Sequence, residues 1–291
     1  MSFSLEVKKE LSKIKNLANK EEVKYELMGY FVSNNILIDN KKIKYSTENE
    51  YNIDRFSKLL RNMNLQKFDI CIQGKVYVIS FSCKNFELVE EFQEFSTFAQ
   101  VNQAMKEQKN DLIRAFIRGV FLGSGSINNP ENTYHLEINL SSNEKMIFIL
   151  EVLKKYDINL KQTENYLYIK DGEEISKFLA FIGANKSVLE FEEIRVQKHM
   201  NNKVNRLVNC KTANLNKTIT ASVEQIDAIN KLKKVGEFQK LDDSLKEIAE
   251  LRLQFPDISL VELGQKLKNP LGKSGVNYRL KKIIQISKSY W

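Results

Sequence analysis

The alternation of apolar and polar positions divides most of the chain into two similar series of elements. Two apolar helices with a central glycine, "YELMGYFVSNN" around Gly29 and "AFIRGVFLGSG" around Gly119, stand about 90 residues apart. After each helix the pattern predicts a strand, a helix, a hairpin and another helix, from period-2 alternation or from apolar spacing near 3.6 residues. The order αβαββα therefore occurs twice, which indicates an internal duplication.

The predicted elements of the two repeats have these bounds. In the first repeat they are the strand Lys42 to Thr47, the helix Tyr51 to Met63, the hairpin Lys67 to Phe81 turning at Gln73-Gly74, and the helix Phe86 to Phe95. In the second they are the strand Tyr134 to Ser141, the helix Glu144 to Tyr156, the hairpin Asn159 to Lys170 and the helix Glu173 to Ile182.

The remainder of the chain has an all-helical pattern. A long basic helix is predicted from Ser187 to Cys210, with its end at Asn214 to Lys217, and a further helix from Ala221 to Val235 closed by Gly236. The next helix, Asp243 to Phe255, stops at Pro256, and another from Leu260 to Leu267 begins at a capping box of Ser259 and Glu262. A turn then leads to a last helix, capped by Ser274 and running to about Ser287.

Two short helices joined by a tight turn, the second of them basic, predict a helix-turn-helix. In the last helix, Val276, Leu280, Ile283 and Ile284 form one core face, and the remaining face carries no acid. That arrangement favours the major groove of double-stranded DNA, with a solvated helix of a protein-binding module as the alternative. The candidate DNA-binding residues are Lys273, Ser274, Gly275, Asn277, Tyr278, Arg279, Lys281, Lys282 and Gln285.

The distribution of charge supports a nucleic-acid footprint. The net charge is +8, while residues 195–217 and 266–291 carry six and seven Lys or Arg and no acid, so everything else is net negative. The alternative is two solvated basic helices in a chain whose composition is rich in Lys, Asn and Ile. The first island supplies candidate auxiliary phosphate contacts, namely Arg195, Lys198, Lys203, Arg206, Lys211 and Lys217.

Composition argues against several other classes of protein. The three cysteines are widely spaced without a CxxC pair and there are only two histidines, so we expect a reduced, cytoplasmic protein with no disulfide framework, no metal and no cofactor. Cys210 is predicted to be a buried helix residue. No apolar run has the length of roughly 20 residues that a membrane span needs, so we expect no membrane partner.

Two short motifs have a chemical and a structural interpretation. The "GSGS" at Gly123 to Ser126 is predicted to be a helix C-cap and turn, because a phosphate loop would follow a strand and contain a lysine. His135 and Glu137 lie on one strand face with Asn139 and Ser141. Without an identifiable nucleophile or partner acid, a solvated strand surface is favoured over acid-base catalysis.

The glycine-bearing helices resemble the LAGLIDADG fold, in which two such helices form the seam between twin αββαββα halves. Laying the motif over Ile117 to Gly125 and Leu27 to Asn35 places both glycines at its third position. The acid that holds divalent metal in that family then falls on Ser124 and Asn34, and the motif's other acid falls on Leu122 and Val32. Since neither Ser nor Asn supplies the anionic charge that Mg²⁺ requires, nuclease chemistry is expected to be lost, with no catalytic residues.

The whole chain resembles WhiA-type bacterial regulators, which join a degenerate LAGLIDADG body to a C-terminal helix-turn-helix. The resemblance rests on residues 114–138, "NRLVNCKTANLNKT" at Asn205 to Thr218, residues 247–267 and "KSGVNYRLKKI" at Lys273 to Ile283. Three positions depart from the family pattern, which usually has an acid at Lys211, often His at Tyr278 and Gly-Gly at Ser124-Gly125. The DNA target sequence is therefore not carried over.

The resemblance implies an α+β fold: a duplicated LAGLIDADG-type αββαββα body of two pseudo-symmetric halves, residues 1–100 and 101–210, and an all-α helix-turn-helix domain with its linker, residues 211–291. It also implies a non-catalytic, nucleoid-associated DNA-binding regulator of cell division, chromosome segregation and, in spore formers, sporulation. Two alternatives are an adaptor that contacts RNA polymerase, a sigma factor or another regulator, and an active LAGLIDADG endonuclease.

Overall fold

The computed structural model describes residues 2–33, 36–39, 42–65, 67–82 and 92–290. These fall into two compact units, residues 1–199 and 200–291. The predicted helix Phe86 to Phe95 lies outside the described residues, apart from its last few positions.

The first half of the N-terminal unit contains a four-stranded antiparallel sheet. Its elements are α1 (Phe3–Ser12), α2 (Lys20–Val32), β1 (Ile36–Asp39), β2 (Lys42–Thr47), α3 (Glu50–Asn62), β3 (Asp69–Gln73) and β4 (Val76–Ser82). The strands lie in the order β1-β2-β4-β3. The hairpin turns at Gly74, whose φ of 64° is a conformation that glycine adopts without strain, as the sequence pattern predicts.

The second half repeats the first. Its elements are α4 (Glu94–Lys106), α5 (Asn110–Ser124), β5 (Gly125–Ile127), β6 (Leu136–Asn139), α6 (Asn143–Lys154), β7 (Lys161–Gln162), β8 (Tyr166–Ile169) and α7 (Gly172–Ile182). The strand order β5-β6-β8-β7 has the same topology as the first sheet. The duplicated fold is therefore confirmed.

Each half contains one strand more than the αβαββα order derived from residue patterns. The additional strands, β1 and β5, have only four and three residues, too few for alternation to be recognised. The interpretation of "GSGS" as a helix C-cap and turn is confirmed for the cap, which is Gly125, and wrong for the turn, because β5 follows at once. Gly123 and Ser124 end α5, and Gly125, extended at φ −83° and ψ 152°, begins the strand directly. Ser126 pairs with Glu137 of β6, so no turn separates helix from strand.

The two glycine-bearing helices pack backbone to backbone, as predicted. A Cβ atom added to Gly29 would lie 2.1 Å from the carbonyl oxygen of Phe116, and one added to Gly119 would lie 2.0 Å from the carbonyl oxygen of Glu26. Both distances are far below van der Waals contact, so only glycine permits this approach. Both helices are buried almost all round, which is why their apolar residues are not confined to one face.

A buried ionic cluster lies along this seam. Glu26 of α2 is fully buried and accepts hydrogen bonds from Arg55 Nε at 2.8 Å and Arg118 Nε at 3.1 Å. Burial alone would raise the pKa of Glu26, but the hydrogen bonds and charges of Arg55 and Arg118 outweigh it and hold that pKa below its usual value. Asn16 donates to the same carboxylate and accepts from Arg55. Because Glu26 and Arg118 belong to different halves, the cluster joins them.

The long basic helix continues further than its sequence pattern predicts. α8 (Asn185–Lys234) is one helix of 50 residues, so the predicted end at Asn214 to Lys217 is wrong. Asn and Thr lower helix propensity by only a fraction of a kcal/mol each, and the chain has neither Gly nor Pro between Gly183 and Gly236. Gly236 closes the helix in the left-handed conformation, as expected.

The C-terminal unit is a small helical domain with its own core. A 3₁₀ turn (Glu237–Lys240) leads to α9 (Asp243–Gln254), α10 (Leu260–Gln265) and α11 (Lys273–Lys288). Ile229 and Leu232 of α8 pack with residues from these helices, among them Ile248, Leu263 and Leu280. The predicted capping box of Ser259 and Glu262 is present at the start of α10. These elements form the predicted all-α helix-turn-helix unit.

The last helix differs in two details from its prediction. Its N-cap is Gly272 in an extended conformation, two residues before the predicted cap, so Ser274 lies inside the first turn. Val276, Leu280 and Ile283 are buried as predicted, whereas Ile284 is only half-buried. Ile286 packs against the core and Ser287 is buried. The buried face of α11 therefore runs on toward the end of the helix and does not extend sideways to Ile284.

Candidate nucleic-acid interface

The outward face of α11 is formed by polar and basic side chains. Tyr278 is 70% exposed and lies near the centre of the face opposite Val276, Leu280 and Ile283. The exposed candidates around it are Lys273, Ser274, Lys281, Lys282 and Gln285, while Gly275, Asn277 and Arg279 are half-buried. Since α11 itself contains no acid, this face has the charge and exposure that contact with a phosphate backbone requires.

Two of the candidate residues contact the start of α9. Arg279 Nη1 donates to the carbonyl oxygen of Ser244 at 3.4 Å, and Lys282 Nζ lies 3.8 Å from a carboxylate oxygen of Asp242. Both residues of the Lys282–Asp242 pair are about half or more exposed, so this ion pair is weak and exchanges readily with solvent. Arg279 therefore has a structural contact that the sequence pattern did not predict, and Lys282 stays close to the outward face.

The two glycines of the helix-turn-helix have different surroundings. A Cβ on Gly264 of α10 would lie 2.0 Å from the carbonyl oxygen of Leu271, whose N–H in turn donates to the carbonyl oxygen of Gly264 at 3.1 Å. Gly264 is therefore required by the turn. A Cβ on Gly275 would meet Leu271 atoms only at 3.5 Å, an ordinary contact, so the fold does not require glycine there.

A buried arginine fixes the loop between α9 and α10. Arg252 is 1% exposed, and its Nη1 donates to the carbonyl oxygens of Pro256 at 3.2 Å and Ile258 at 3.0 Å. Burial lowers the pKa of this guanidinium, though the group stays cationic at neutral pH. Ser222 of α8 donates to the Pro256 carbonyl at 2.6 Å as well. The sequence pattern did not identify Arg252, because its partners are backbone atoms.

The six basic candidates of α8 divide into two groups. Arg195 pairs with Glu192, and Lys198 donates to the carbonyl oxygen of Asn132 at 3.1 Å while lying over the ring of Tyr134. These two cations are held by the N-terminal unit. The other four, Lys203, Arg206, Lys211 and Lys217, are exposed along the helix. Cys210 is exposed too, so its prediction as a buried residue is wrong.

The end of the helix seam is occupied by hydroxyl groups. Ser124 Oγ lies 3.4 Å from the carbonyl oxygen of Val120, and a Cβ on Gly123 would lie 2.4 Å from Ser33 Oγ of α2. Asn34, the second position corresponding to a metal ligand, lies outside the described residues. Across the described part of the chain, no three His, Cys, Asp or Glu side chains are close enough to share a metal ion.

The second sheet presents a polar and aromatic face. His135 Nε2 lies 3.3 Å from a Glu137 carboxylate oxygen, and the imidazole stacks on Tyr168 with ring centroids 6.0 Å apart. Ser126 Oγ donates to Glu137 at 3.1 Å. The face therefore consists of half-buried groups that satisfy one another.

A lysine that the sequence pattern did not identify lies beside the end of α5. Lys8 of α1 is partly buried, with its Nζ 6.0 Å from the ring centroid of Phe121. Burial lowers the pKa of this ammonium group to about 8. Lys8 lines a polar surface cavity with residues that include Ser4, Thr47 and Glu48. Its environment is set by strands and helices distant in sequence, so no local pattern indicates it.

Two family models match the chain between residues 113 and 287. The WhiA LAGLIDADG-like domain matches residues 113–201 and the WhiA C-terminal HTH domain matches residues 204–287. A Clostridium botulinum protein named "Probable cell division protein WhiA" is 38% identical over 310 residues, which cover 99% of this chain and 98% of that relative. The chain belongs to the WhiA family.

Solved structures of WhiA proteins have the same fold. The crystal structure of full-length DUF199/WhiA from Thermatoga maritima matches with a TM-score of 0.61 and 30% identity, covering 100% of this chain and 99% of that one. The N-terminal LAGLIDADG domain of DUF199/WhiA matches with a TM-score of 0.50 and 28% identity over 62% of this chain and 92% of that one. Within the described residues of this WhiA-family chain, no helix has the length and apolarity to cross a membrane.

Proposed function

We propose that the chain is a DNA-binding regulator without catalytic activity, which binds duplex DNA mainly through α11. The observation that carries the proposal is the acid-free outer face of α11, exposed around Tyr278 on a helix-turn-helix with its own core. In this proposal Lys273, Lys281 and Lys282 contact phosphates, whereas Ser274, Asn277, Tyr278 and Gln285 reach base edges. Gly275 permits close approach, and Arg279 supports the helix from its side.

The proposal is tested by removing the three lysines together. The chain with Lys273, Lys281 and Lys282 replaced by Ala is expected to bind a fluorescent duplex at least tenfold more weakly, because three phosphate contacts are lost. A control with Lys20, Lys154 and Lys155 replaced by Ala has the same net charge, and these three side chains are exposed on the N-terminal unit. Equal losses of affinity in the two variants would contradict binding through α11.

The exposed cations of α8 are proposed as auxiliary phosphate contacts. Lys203, Arg206, Lys211 and Lys217 are free of strong internal ion pairs in the described residues, unlike Arg195 and Lys198. We expect replacement of Arg206 and Lys217 by Ala to weaken DNA binding severalfold and uniformly across sequences, since phosphate contacts carry no sequence information.

The cellular role is proposed at the level of cell division. The family membership supports it, because full-length relatives bear the name "Probable cell division protein WhiA". We propose that the protein regulates transcription and takes part in chromosome segregation and, in spore formers, in sporulation. We also propose that it is located on the nucleoid in the cytoplasm. The proposed division is a body of two halves, residues 1–100 and 101–210, and a DNA-binding part, residues 211–291.

The first alternative is an adaptor that contacts RNA polymerase, a sigma factor or another regulator through its body, with DNA binding secondary. The C-terminal unit, residues 200–291, has its own core and can be compared with the full chain. We expect the isolated unit to retain most of the DNA affinity. An isolated unit that binds DNA a hundredfold more weakly than the full chain would contradict DNA binding mainly through α11.

The second alternative is an active LAGLIDADG endonuclease. Ser124, at the position of a metal-binding acid, has a neutral hydroxyl directed to the Val120 carbonyl oxygen. Incubation of the full chain with supercoiled DNA and Mg²⁺ or Mn²⁺ is expected to leave the DNA intact, because hard cations need anionic oxygen ligands. Metal-dependent nicking that co-purifies with the chain would support the endonuclease.

A further inference from the structure

A stripe of large apolar side chains is exposed on α8 within the C-terminal unit. Seven residues between positions 200 and 223 are 46% to 61% exposed. They are Met200, Val204, Leu207, Val208, Leu215, Ile219 and Val223. A single exposed apolar residue is ordinary on a protein surface, but seven on one helix, six of them on one face, form a patch of the kind that marks an interaction site.

The stripe occupies one of three distinct faces of the helix. At 100° per residue, the six apolar side chains from Met200 to Ile219 fall within roughly 120° of the helix circumference. Arg206 and Lys217, eleven residues apart, lie almost in line on a second face, with Lys203 between that face and the stripe. Asn205, Asn209 and Asn216 lie on a third face.

This part of α8 has little to stabilise it alone. Nine of the residues between 200 and 223 are Asn or Thr, which favour helix less than most residues do. Almost all residues from 200 to 221 are exposed and lie outside the apolar core of their own unit. Helices of this kind gain most of their stability from burying an apolar face against another element. Burial of the stripe against a partner would therefore stabilise this part of α8.

The charges around the stripe indicate what kind of partner could bind it. The chain has no acid from Ile194 to Val223, while Lys203 borders the stripe and Lys211 lies inside it between Val208 and Leu215. A second copy of α8 would place cations against cations, which is unfavourable. Duplex DNA offers phosphates for the basic face but no apolar surface for seven aliphatic side chains.

We propose that the stripe from Met200 to Val223 docks an acidic amphipathic helix of a partner protein. The apolar residues of that helix would cover the stripe, and its flanking Asp or Glu side chains would pair with Lys203 and Lys211. Such helix pairing is a recurrent mode of recognition, with anchors at the spacing of successive turns. Of the four exposed cations proposed as auxiliary phosphate contacts, Lys203 and Lys211 would pair with the partner when it is bound. Arg206 and Lys217 lie on a different face and stay available for phosphates.

The test uses the full chain and two fluorescent peptides of 24 residues. Both carry leucines at the spacing of the stripe, one with Glu and the other with Lys at the flanking positions. By anisotropy we expect the Glu peptide to bind at least tenfold more tightly than the Lys peptide. The variant with Leu207 and Leu215 replaced by Asn is expected to lose at least tenfold in affinity for the Glu peptide. The matched control with Asn205 and Asn209 replaced by Ser is expected to keep it.

The circular dichroism spectrum and the affinity for duplex DNA are measured for each variant, so that a misfolded chain is recognised. Both substituted leucines are more than half exposed, and the variant is expected to fold and to bind DNA as the wild type does. The proposal is overturned by equal binding of the two peptides or by an unchanged affinity of the leucine variant. It is also overturned if the wild-type chain forms a dimer that the leucine variant does not form. A loss of DNA affinity in the leucine variant alone would overturn it as well.

Discussion

Two glycines determine how closely the halves of the body approach. At Gly29 and Gly119 a Cβ atom would overlap a backbone oxygen of the opposite helix, and backbone cannot move aside as a side chain can. The close contact brings Glu26 of one half within reach of Arg118 of the other, 92 positions away in sequence. The seam is thus formed by two glycines and one ionic cluster.

The Gly119→Ala variant is expected to destabilise the N-terminal unit by more than about 3 kcal/mol, because helices α2 and α5 must separate to admit the methyl group. Thermal unfolding of the full chain measures the effect. The control is Gly272→Ala, where nothing lies within 4 Å of the added Cβ and φ is an ordinary −70°. If the Gly119→Ala chain unfolded at the same temperature as the Gly272→Ala control, the seam would tolerate a wider spacing of the two helices.

Lys8 is expected to make stability depend on pH. Its folded-state pKa of about 8 is below the ordinary value of 10.5, so the folded chain binds this proton less readily than the unfolded chain does. The penalty is fully present below about pH 8 and fades as pH rises toward 10.5. Lys8→Met is therefore expected to unfold at a higher temperature than wild type at pH 7, with the difference shrinking by pH 10.

The exposed Lys13→Met variant serves as the control for that experiment. A Lys8→Met chain that follows the wild type at every pH would contradict the desolvation of Lys8. Lys8 and Glu26 also show the limit of local sequence patterns at this scale. The seam glycines are recognisable because close helix packing uses glycine, whereas the environments of Lys8 and Glu26 are made by residues far away along the chain.

At the level of elements, the two glycines of the helix-turn-helix are expected to respond differently to substitution by alanine. Gly264→Ala is expected to disrupt the turn, since its Cβ would lie 2.0 Å from the carbonyl oxygen of Leu271. Gly275→Ala is expected to fold with unchanged or slightly raised stability, because Ala favours helix over Gly by up to about 1 kcal/mol.

Duplex DNA binding then decides the role of Gly275. We expect Gly275→Ala to weaken binding severalfold while thermal unfolding is unaffected, because the methyl group would stand between helix and groove. DNA affinity is measured by fluorescence anisotropy at constant salt. An unchanged affinity would mean that the start of α11 does not approach the DNA closely.

An element could be predicted from the sequence when it was long enough to show a period or was bounded by recognisable capping residues. Helices α3, α6, α7, α9 and α10 were predictable because each has a sustained apolar period or a cap such as Ser259 with Glu262. Strands β1 and β5 were not, since three or four residues carry no period. The end of α8 was predicted wrongly from Asn and Thr, which lower helix propensity without interrupting the helix.

At the scale of the whole molecule, the two units are proposed to have different roles. The body keeps a LAGLIDADG-type fold whose seam packs closely, and α11 carries the proposed DNA contacts. The fold class was predictable because two glycine-bearing helices repeat in one chain. The exposed cations of α8 were not distinguishable from Arg195 and Lys198 by sequence alone, since the contacts that hold those two come from Glu192 and Asn132.

The central claim is that this chain binds duplex DNA through cations of its C-terminal helices. The most direct test is the affinity of the full chain for a duplex measured over a range of salt concentrations. With about six phosphates contacted, the logarithm of the binding constant is expected to fall against the logarithm of salt concentration with a slope near −5. A slope near zero would contradict the account.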